Sequence, residues 1–234
     1  MKVTIRIWDL PIRLFHWSLV LAVAAAYITA TLGGNLMDWH GRIGAFILGL
    51  LVFRLIWGVI GSSPARLGHF FPTPPKLLAY LQGRWHGIGH NPLGALAVLA
   101  LLADLSVLVG TGLFASDDIA FTGPLHKLVD DDALNDKLSG LHAQAFNLLL
   151  VLVLLHISAI AFYGVIKKNN LLVPMLTGNK TVPKALAATV TGGGPLRCIT
   201  AVIVSGVVVW SVWGGVEIIK PVASAPATLT TPSF

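Results

Sequence analysis

The stretch 141–157 reads LHAQAFNLLLVLVLLHI and sets His142 and His156 fourteen positions apart in one of the most apolar parts of the chain. An imidazole can ligate a metal or relay a proton, and an ionisable ring in a hydrocarbon environment marks function by default. At about 100° per residue, fourteen residues fall about 40° short of four full turns, so in a helix both rings lie on nearly one face, about 21 Å apart along the axis. Six further histidines, at 16, 40, 69, 86, 90 and 126, are the available partners.

The elements that must position them follow from composition. Of 234 residues, 55% are hydrophobic and 11% charged, and the mean hydropathy is +0.80. A soluble domain carries roughly 25% charged residues. Apolar runs lie near 14–34, 40–61, 92–115, 140–165 and 196–219. Each matches the about 20 residues that a hydrocarbon core of about 30 Å demands. The expected fold class is therefore all-α and integral to the membrane, with five transmembrane helices. The first run is longer than the about 7–15 apolar residues of a signal peptide and contains His16, so it is expected to be retained.

Charge sets the orientation. Segment 1–13 carries Lys2, Arg6 and Arg13 against Asp9; segment 62–91 carries Arg66, Lys76 and Arg84; segment 166–195 carries Lys167, Lys168, Lys180 and Lys184. The alternate segment 116–139 holds Asp117, Asp118, Asp130, Asp131, Asp132 and Asp136 against Lys127 and Lys137. By the positive-inside rule the N-terminus is cytoplasmic and the acidic segment outside, and an odd number of spans puts the C-terminus outside, the periplasmic side in a bacterial inner membrane. The same interleaving explains a pI near 9.7 without nucleic acid, because the basic residues form no single face.

This topology puts His16 near the cytoplasmic end of the first helix and His156 in the inner leaflet. His40 falls at the outer end of the second helix, and His142 about one turn inside the outer end of the fourth. Depth thus suggests two pairs, His16 with His156 and His40 with His142. Two imidazoles facing each other across a bundle are what an axially ligated haem requires. Two such sites stacked along one helix would place one redox centre in each leaflet. A lone histidine in a bundle is more often a hydrogen-bonded packing residue; four matched in depth, two on one helical face, favour ligation. Zinc fits poorly, since no Cys or Glu completes a tetrahedral set. The single cysteine, Cys198, excludes a Cys₄ cluster, an internal disulfide and a C-x-x-C-H attachment, so any haem is b-type.

Several motifs then resemble a known group. They are W-D-L-P-x-R-x-F-H-W, H-G-R-x-G, F-R-x-x-W-G-x-x-G, G-H-N-P-x-G, T-G-L-F-x-S-D-D, and the H-x13-H helix followed by K-x-N-x-L-x-x-P-M-L-T-G. In this order, over about residues 6–180, they resemble the bacterial di-haem cytochromes b, the group of prokaryotic cytochrome b-561 proteins and nickel–iron hydrogenase cytochrome b subunits. The resemblance implies a four-helix haem-binding core over 1–180 and two haem b groups. It also implies His16, His40, His142 and His156 as ligands in the pairing given by depth. Such proteins carry electrons between the quinone pool and a redox partner, such as a periplasmic c-type cytochrome or a hydrogenase-like enzyme. That role is of an electron-transfer subunit more than of a stand-alone enzyme, in the bacterial inner membrane. Residues 181–234 lie outside the resemblance and are read as a cytoplasmic linker, the fifth helix and a short periplasmic tail; that helix could serve a partner or a homodimer.

Further candidates surround this core. Arg54, in the inner half of the second helix, needs an anion, which a haem propionate would supply, or it snorkels to the interface. Arg13 and Arg42 are similar candidates. His90 could contact a propionate, exchange a proton with a quinone or cap a helix. Asp104, at mid-membrane, is a structural hydrogen-bonding group or part of a proton relay. His69, His86 and His126 fall in loops and are expected to be solvated. An amphipathic segment near 75–85 reads as a helix in the cytoplasmic interface, Trp210 and Trp213 as an aromatic belt, and the acidic segment as a topology signal or a docking surface for a basic cytochrome. Two rival readings stay open: a superoxide:ubiquinone oxidoreductase of the same fold, and a haem-free transporter or assembly subunit.

Overall fold

The computed structural model describes residues 1–215 apart from 86, 88, 117–120, 130 and 185–189. Asp9 begins the first long helix, α1 (Leu10–Leu32), where its Oδ1 accepts from Ile12 N at 2.8 Å and Pro11 occupies the first turn, a position that lacks a use for the missing N–H. After a short 3₁₀ turn at Gly34–Leu36 the chain returns as α2 (Met37–Ile60). Two small helices, α3 (Leu67–Phe70) and α4 (Pro74–Leu81), precede α5 (Pro92–Gly112), which Asn91 caps through Gly94 N at 2.7 Å. Next come α6 (Asp132–Val165), α7 (Leu172–Thr177) and α8 (Pro195–Trp210), the last ending in a wide turn at Ser211–Gly215. Among the described residues five helical stretches are long and apolar enough to cross a membrane. In the amphipathic segment the helix is the eight residues of α4.

The bundle closes in sequence order. The helix α1 packs on α2, α2 on α5 and α5 on α6, and Tyr27 of α1 stacks on Phe146 of α6 with ring centroids 5.7 Å apart. The helix α8 packs along α2. A central core joins Ala22, Ile47, Leu51, Leu105, Val109 and Leu149. Leu148, Val151, Leu154, Leu155 and Ile157 of α6 are exposed. That apolar outer surface suits lipid, where every backbone polar group must be satisfied within the helix.

The fourth span differs from the expected 140–165. The helix α6 starts at Asp132, with Asp131 as its cap accepting from Leu134 N at 3.1 Å. Its 34 residues make a rod of about 51 Å, well beyond a hydrocarbon core of about 30 Å. The polar stretch therefore continues the helix beyond the hydrocarbon, with Asp131 and Asp132 at its electropositive start. Asp117, Asp118 and Asp130 lie outside the described residues.

At the amino-terminal face a two-stranded antiparallel ribbon joins β1 (Lys2–Arg6) to β2 (Asn179–Pro183), with Lys2 opposite Pro183 and Arg6 opposite Asn179. The chain enters this ribbon through Gly178, whose φ of +85° ends α7 in the left-handed region. A side chain there would be strained and would put its Cβ 2.7 Å from Trp8 O. Gly178 O in turn accepts from Ile7 N at 2.7 Å and Trp8 N at 3.1 Å. Beside the ribbon a second core gathers Trp8, Ile12, Phe15, Phe53, Trp57 and Ala201.

Asp9 ties these pieces together. Besides capping α1, its Oδ2 accepts from Trp57 Nε1 at 3.0 Å and from Ser62 Oγ. Losing a cap costs about 0.5–2 kcal/mol, and leaving buried donors unpaired costs about 1–3 kcal/mol. Asp9→Ala is therefore expected to destabilise the detergent-solubilised protein by about 2–4 kcal/mol, with Asp9→Asn milder because it keeps the cap. Thermal melts followed by circular dichroism test this; a midpoint for Asp9→Ala equal to that of the exposed-site control Asp136→Ala would refute it.

Candidate functional site

His40, in the first turns of α2, and His142, on α6, face each other across the bundle. Their ring centroids are 6.2 Å apart and their planes cross at 86°. His40 Nδ1 lies 2.9 Å from Ala26 O and His142 Nδ1 2.8 Å from Leu108 O. A carbonyl only accepts, so each Nδ1 carries the proton and donates, leaving each Nε2 with a free lone pair. That is the arrangement of metal-binding imidazoles, whose second nitrogen is fixed by a backbone carbonyl or carboxylate. A metal at about 2.0–2.1 Å from each Nε2, with about 1.1 Å from nitrogen to ring centre, gives a centroid separation of about 6.3 Å. The observed spacing fits one metal ion between the rings.

Between these rings lies a cavity of about 440 Å³, lined mostly by apolar residues including Val23, Ala26, Val109, Phe146 and Leu149. Two glycines shape it. A Cβ at Gly112 would meet His142 Cε1 at 2.9 Å, so the close seat of that ring on α5 requires the missing side chain. Gly44 also lines the cavity, and a Cβ there would meet nothing within 4 Å. Among the described residues no three His, Cys, Asp or Glu side chains converge as a metal site of protein ligands alone would need. The two free imidazole nitrogens and the apolar cradle would suit a flat cofactor that brings its own metal.

Toward the amino-terminal face, His156 continues the half-buried stripe of α6 that contains His142, Ala145, Phe146, Leu149 and Val153. His16 of α1 interacts electrostatically with His156, and its Nδ1 is buried without a partner. Arg54 is 3% exposed and donates from Nη1 to Ala65 O at 3.1 Å, with its guanidinium 5.9 Å from the Phe70 ring centre. His90 sits between Trp8 at 4.7 Å and Phe70 at 4.8 Å. Burial first, then Arg54, His156 and His16, hold it at about 4, so it is neutral at pH 7. Its Nδ1 is shielded and unpaired.

The remaining candidates divide. Arg13 donates from Nη1 to Leu176 O, holding the end of α7, while its Nε is buried without a partner. Arg42 is exposed and lies over the Trp39 ring at 5.2 Å. Asp104 is 7% exposed, with Oδ2 unpaired. His69 is exposed, and His86 lies outside the described residues. His126, expected to be solvated, is half-buried instead, with Nδ1 2.9 Å from Phe114 O; it fastens the segment after α5.

A polar cluster that sequence reasoning missed lies beside His90. Asn91 Nδ2 donates to Tyr163 Oη at 2.8 Å, and Tyr80 Oη pairs with the same hydroxyl. The capping position of Asn91 before Pro92 is legible; its link to a tyrosine 72 positions away is not. The end of α7 likewise explains a motif, since Asn170 Oδ1 accepts from Leu172 N and Val173 N at 2.9 Å each.

A family model described as prokaryotic cytochrome b561 matches residues 7–178. The chain belongs to the prokaryotic cytochrome b561 family. The match runs from the end of β1 to the glycine that ends α7 and stops short of α8. Among similar curated proteins are the probable Ni/Fe-hydrogenase B-type cytochrome subunits of Azotobacter vinelandii and Azotobacter chroococcum mcd 1. Each is 25% identical over 145 aligned positions, covering 49% of this chain and 60% of the relative. The chain thus spans less than two thirds of those relatives. No solved structure matches it at a significant level. Membership of this cytochrome b561 family, with five apolar helices, makes the chain a multi-pass membrane protein, and it supports a haem b electron-transfer role.

Gly44 offers a direct check on the cavity. Replacing it by leucine fills cofactor space, while the helix gains up to about 1 kcal/mol in propensity. Gly44→Leu protein is expected to keep its circular dichroism and detergent elution but to lose haem b per chain. Undiminished haem would mean that the cavity is not the cofactor's seat.

Proposed function

We propose that this cytochrome b561 family member is a transmembrane di-haem relay, with one haem b between His40 and His142 and a second between His16 and His156. The observation that carries the reading is the outer pair: two imidazoles at metal-bridging separation, each with Nδ1 tied to a backbone carbonyl. The inner pair is supported by its place on the same stripe of α6 and by the buried, unpaired His16 Nδ1. A haem b held by these histidines would supply one-electron transfer and not oxygen activation.

The chain's own residues then hold and orient. Backbone carbonyls on α1 and α5 fix the outer rings, and Gly44 and Gly112 make room. Arg54, buried close to His90, is the best-supported propionate contact, ahead of Arg13 and Arg42. His90 is a candidate for proton exchange with a quinone beside the inner site. Asp104 is a candidate for a hydrogen-bonded or proton-carrying role between the two sites.

The charge asymmetry supports a cytoplasmic amino-terminal face in the bacterial inner membrane. The similarity to hydrogenase cytochrome subunits favours a redox enzyme as one partner, with the quinone pool as the other; a periplasmic c-type cytochrome is the alternative acceptor or donor. The test is a pyridine haemochrome count with oxidised and reduced spectra. Two low-spin haem b groups per chain are expected, with one lost in His142→Ala and the other in His156→Ala. An unchanged count after either substitution would sink that ligand assignment.

A further inference from the structure

The family match ends at residue 178, so α8 comes without an assigned role. Ala201, Ser205, Val209 and Trp213 recur at every fourth position, which places them along one stripe of a helix. Ala201 is 0% and Ser205 6% exposed, and small residues at a helix interface let two backbones approach closely. One step along, a Cβ at Gly49 of α2 would lie 3.1 Å from Val209 Cγ2. Trp213 comes last. Its ring edge would lie 3.3 Å from a Cβ at Gly41, and it lines the cavity between His40 and His142.

The backbone changes course at that point. Trp213 leaves helical angles, and Gly214 takes a φ of +106°, a conformation in which an L side chain is strained. Phe121 reaches the same place from the segment before α6. Its ring would meet a Cβ at Gly41 at 2.8 Å and stands edge-on to His40 with centroids 6.5 Å apart. Two aromatic rings from separate segments therefore converge on the residue next to His40. Trp210 and Trp213 are similarly exposed, at 50% and 44%, but only Trp213 of the two lines the cavity.

We propose that Trp213 is a wall of the outer cofactor cavity, carried there by the register of α8 on α2 to keep water from the cofactor edge beside His40. This rests on the assignment of His40 and His142 as ligands. Water at a redox centre favours its more highly charged oxidised form, and solvent access around a metal tunes its potential. Trp213 therefore holds the outer centre at a higher potential than an open site would have.

The test uses the full chain in detergent: wild type, Trp213→Ala, Trp213→Phe and Trp210→Ala, each titrated potentiometrically with optical and low-spin resonance spectra. Trp213→Ala is expected to lower the potential of one haem, raising its oxidised-to-reduced ratio at fixed potential by roughly tenfold, equivalent to about 59 mV for one electron. Trp213→Phe should restore most of the shift, and Trp210→Ala should titrate as wild type. If Trp213→Ala and Trp210→Ala titrate alike while wild type shows two bis-imidazole haems, this inference fails alone. Wild-type protein without bis-imidazole spectra overturns the ligand reading and this inference with it.

Discussion

The Nδ1 hydrogen bonds of His40 and His142 each cross from one helix to another, and the rest of the bundle is arranged around them. His40 belongs to α2 and is held by Ala26 of α1; His142 belongs to α6 and is held by Leu108 of α5. Two polar contacts in largely apolar surroundings thereby tie α1 to α2 and α5 to α6. A rotation of either helix would break its contact and leave a half-buried donor unpaired, at up to about 1–3 kcal/mol. The same contacts select the tautomer that leaves each Nε2 lone pair free. Folding and site geometry at this end are one constraint.

The amino-terminal face is built on a different logic. There a single carboxyl group caps α1 and gathers the end of α2, while the ribbon of β1 and β2 fastens the chain start to the segment after α7. Aromatic rings of Trp8, Phe53 and Trp57 fill the space between. Arg54 and His90 are held in this frame, toward which His16 and His156 also lie.

The helical period made the shared face of His142 and His156 readable, and charge balance with apolar run length separated the spans. What escaped reading was of three kinds. The start of α6 was misplaced because hydropathy treats Asp131 to Lys137 as a break, although Asp131 is a good cap and the residues after it can extend the helix. The ribbon escaped because two five-residue strands pair across more than 170 positions, with no local turn to announce them. Asp9 was countable as a charge and recognisable as a cap before Leu10 and Pro11. Its bonds to Trp57 and Ser62 depend on how α2 returns beside α1, which no local pattern encodes. For the candidate site, the facing of His40 and His142 followed from depth, whereas the seat of His142 against Gly112 and the approach of Trp213 are products of packing.

One consequence follows from α6 being a single unbroken rod. Both histidines share one angular phase, so the length of chain between them is quantised. Adding or removing one residue between positions 142 and 156 would swing one ring about 100° away from the bundle interior relative to the other. Seven residues, close to two turns, would keep the phase to within about 20° while pushing the levels about 10 Å further apart. The lipid-facing side chains of this segment are thus far less constrained than its length, which only a few discrete values can satisfy.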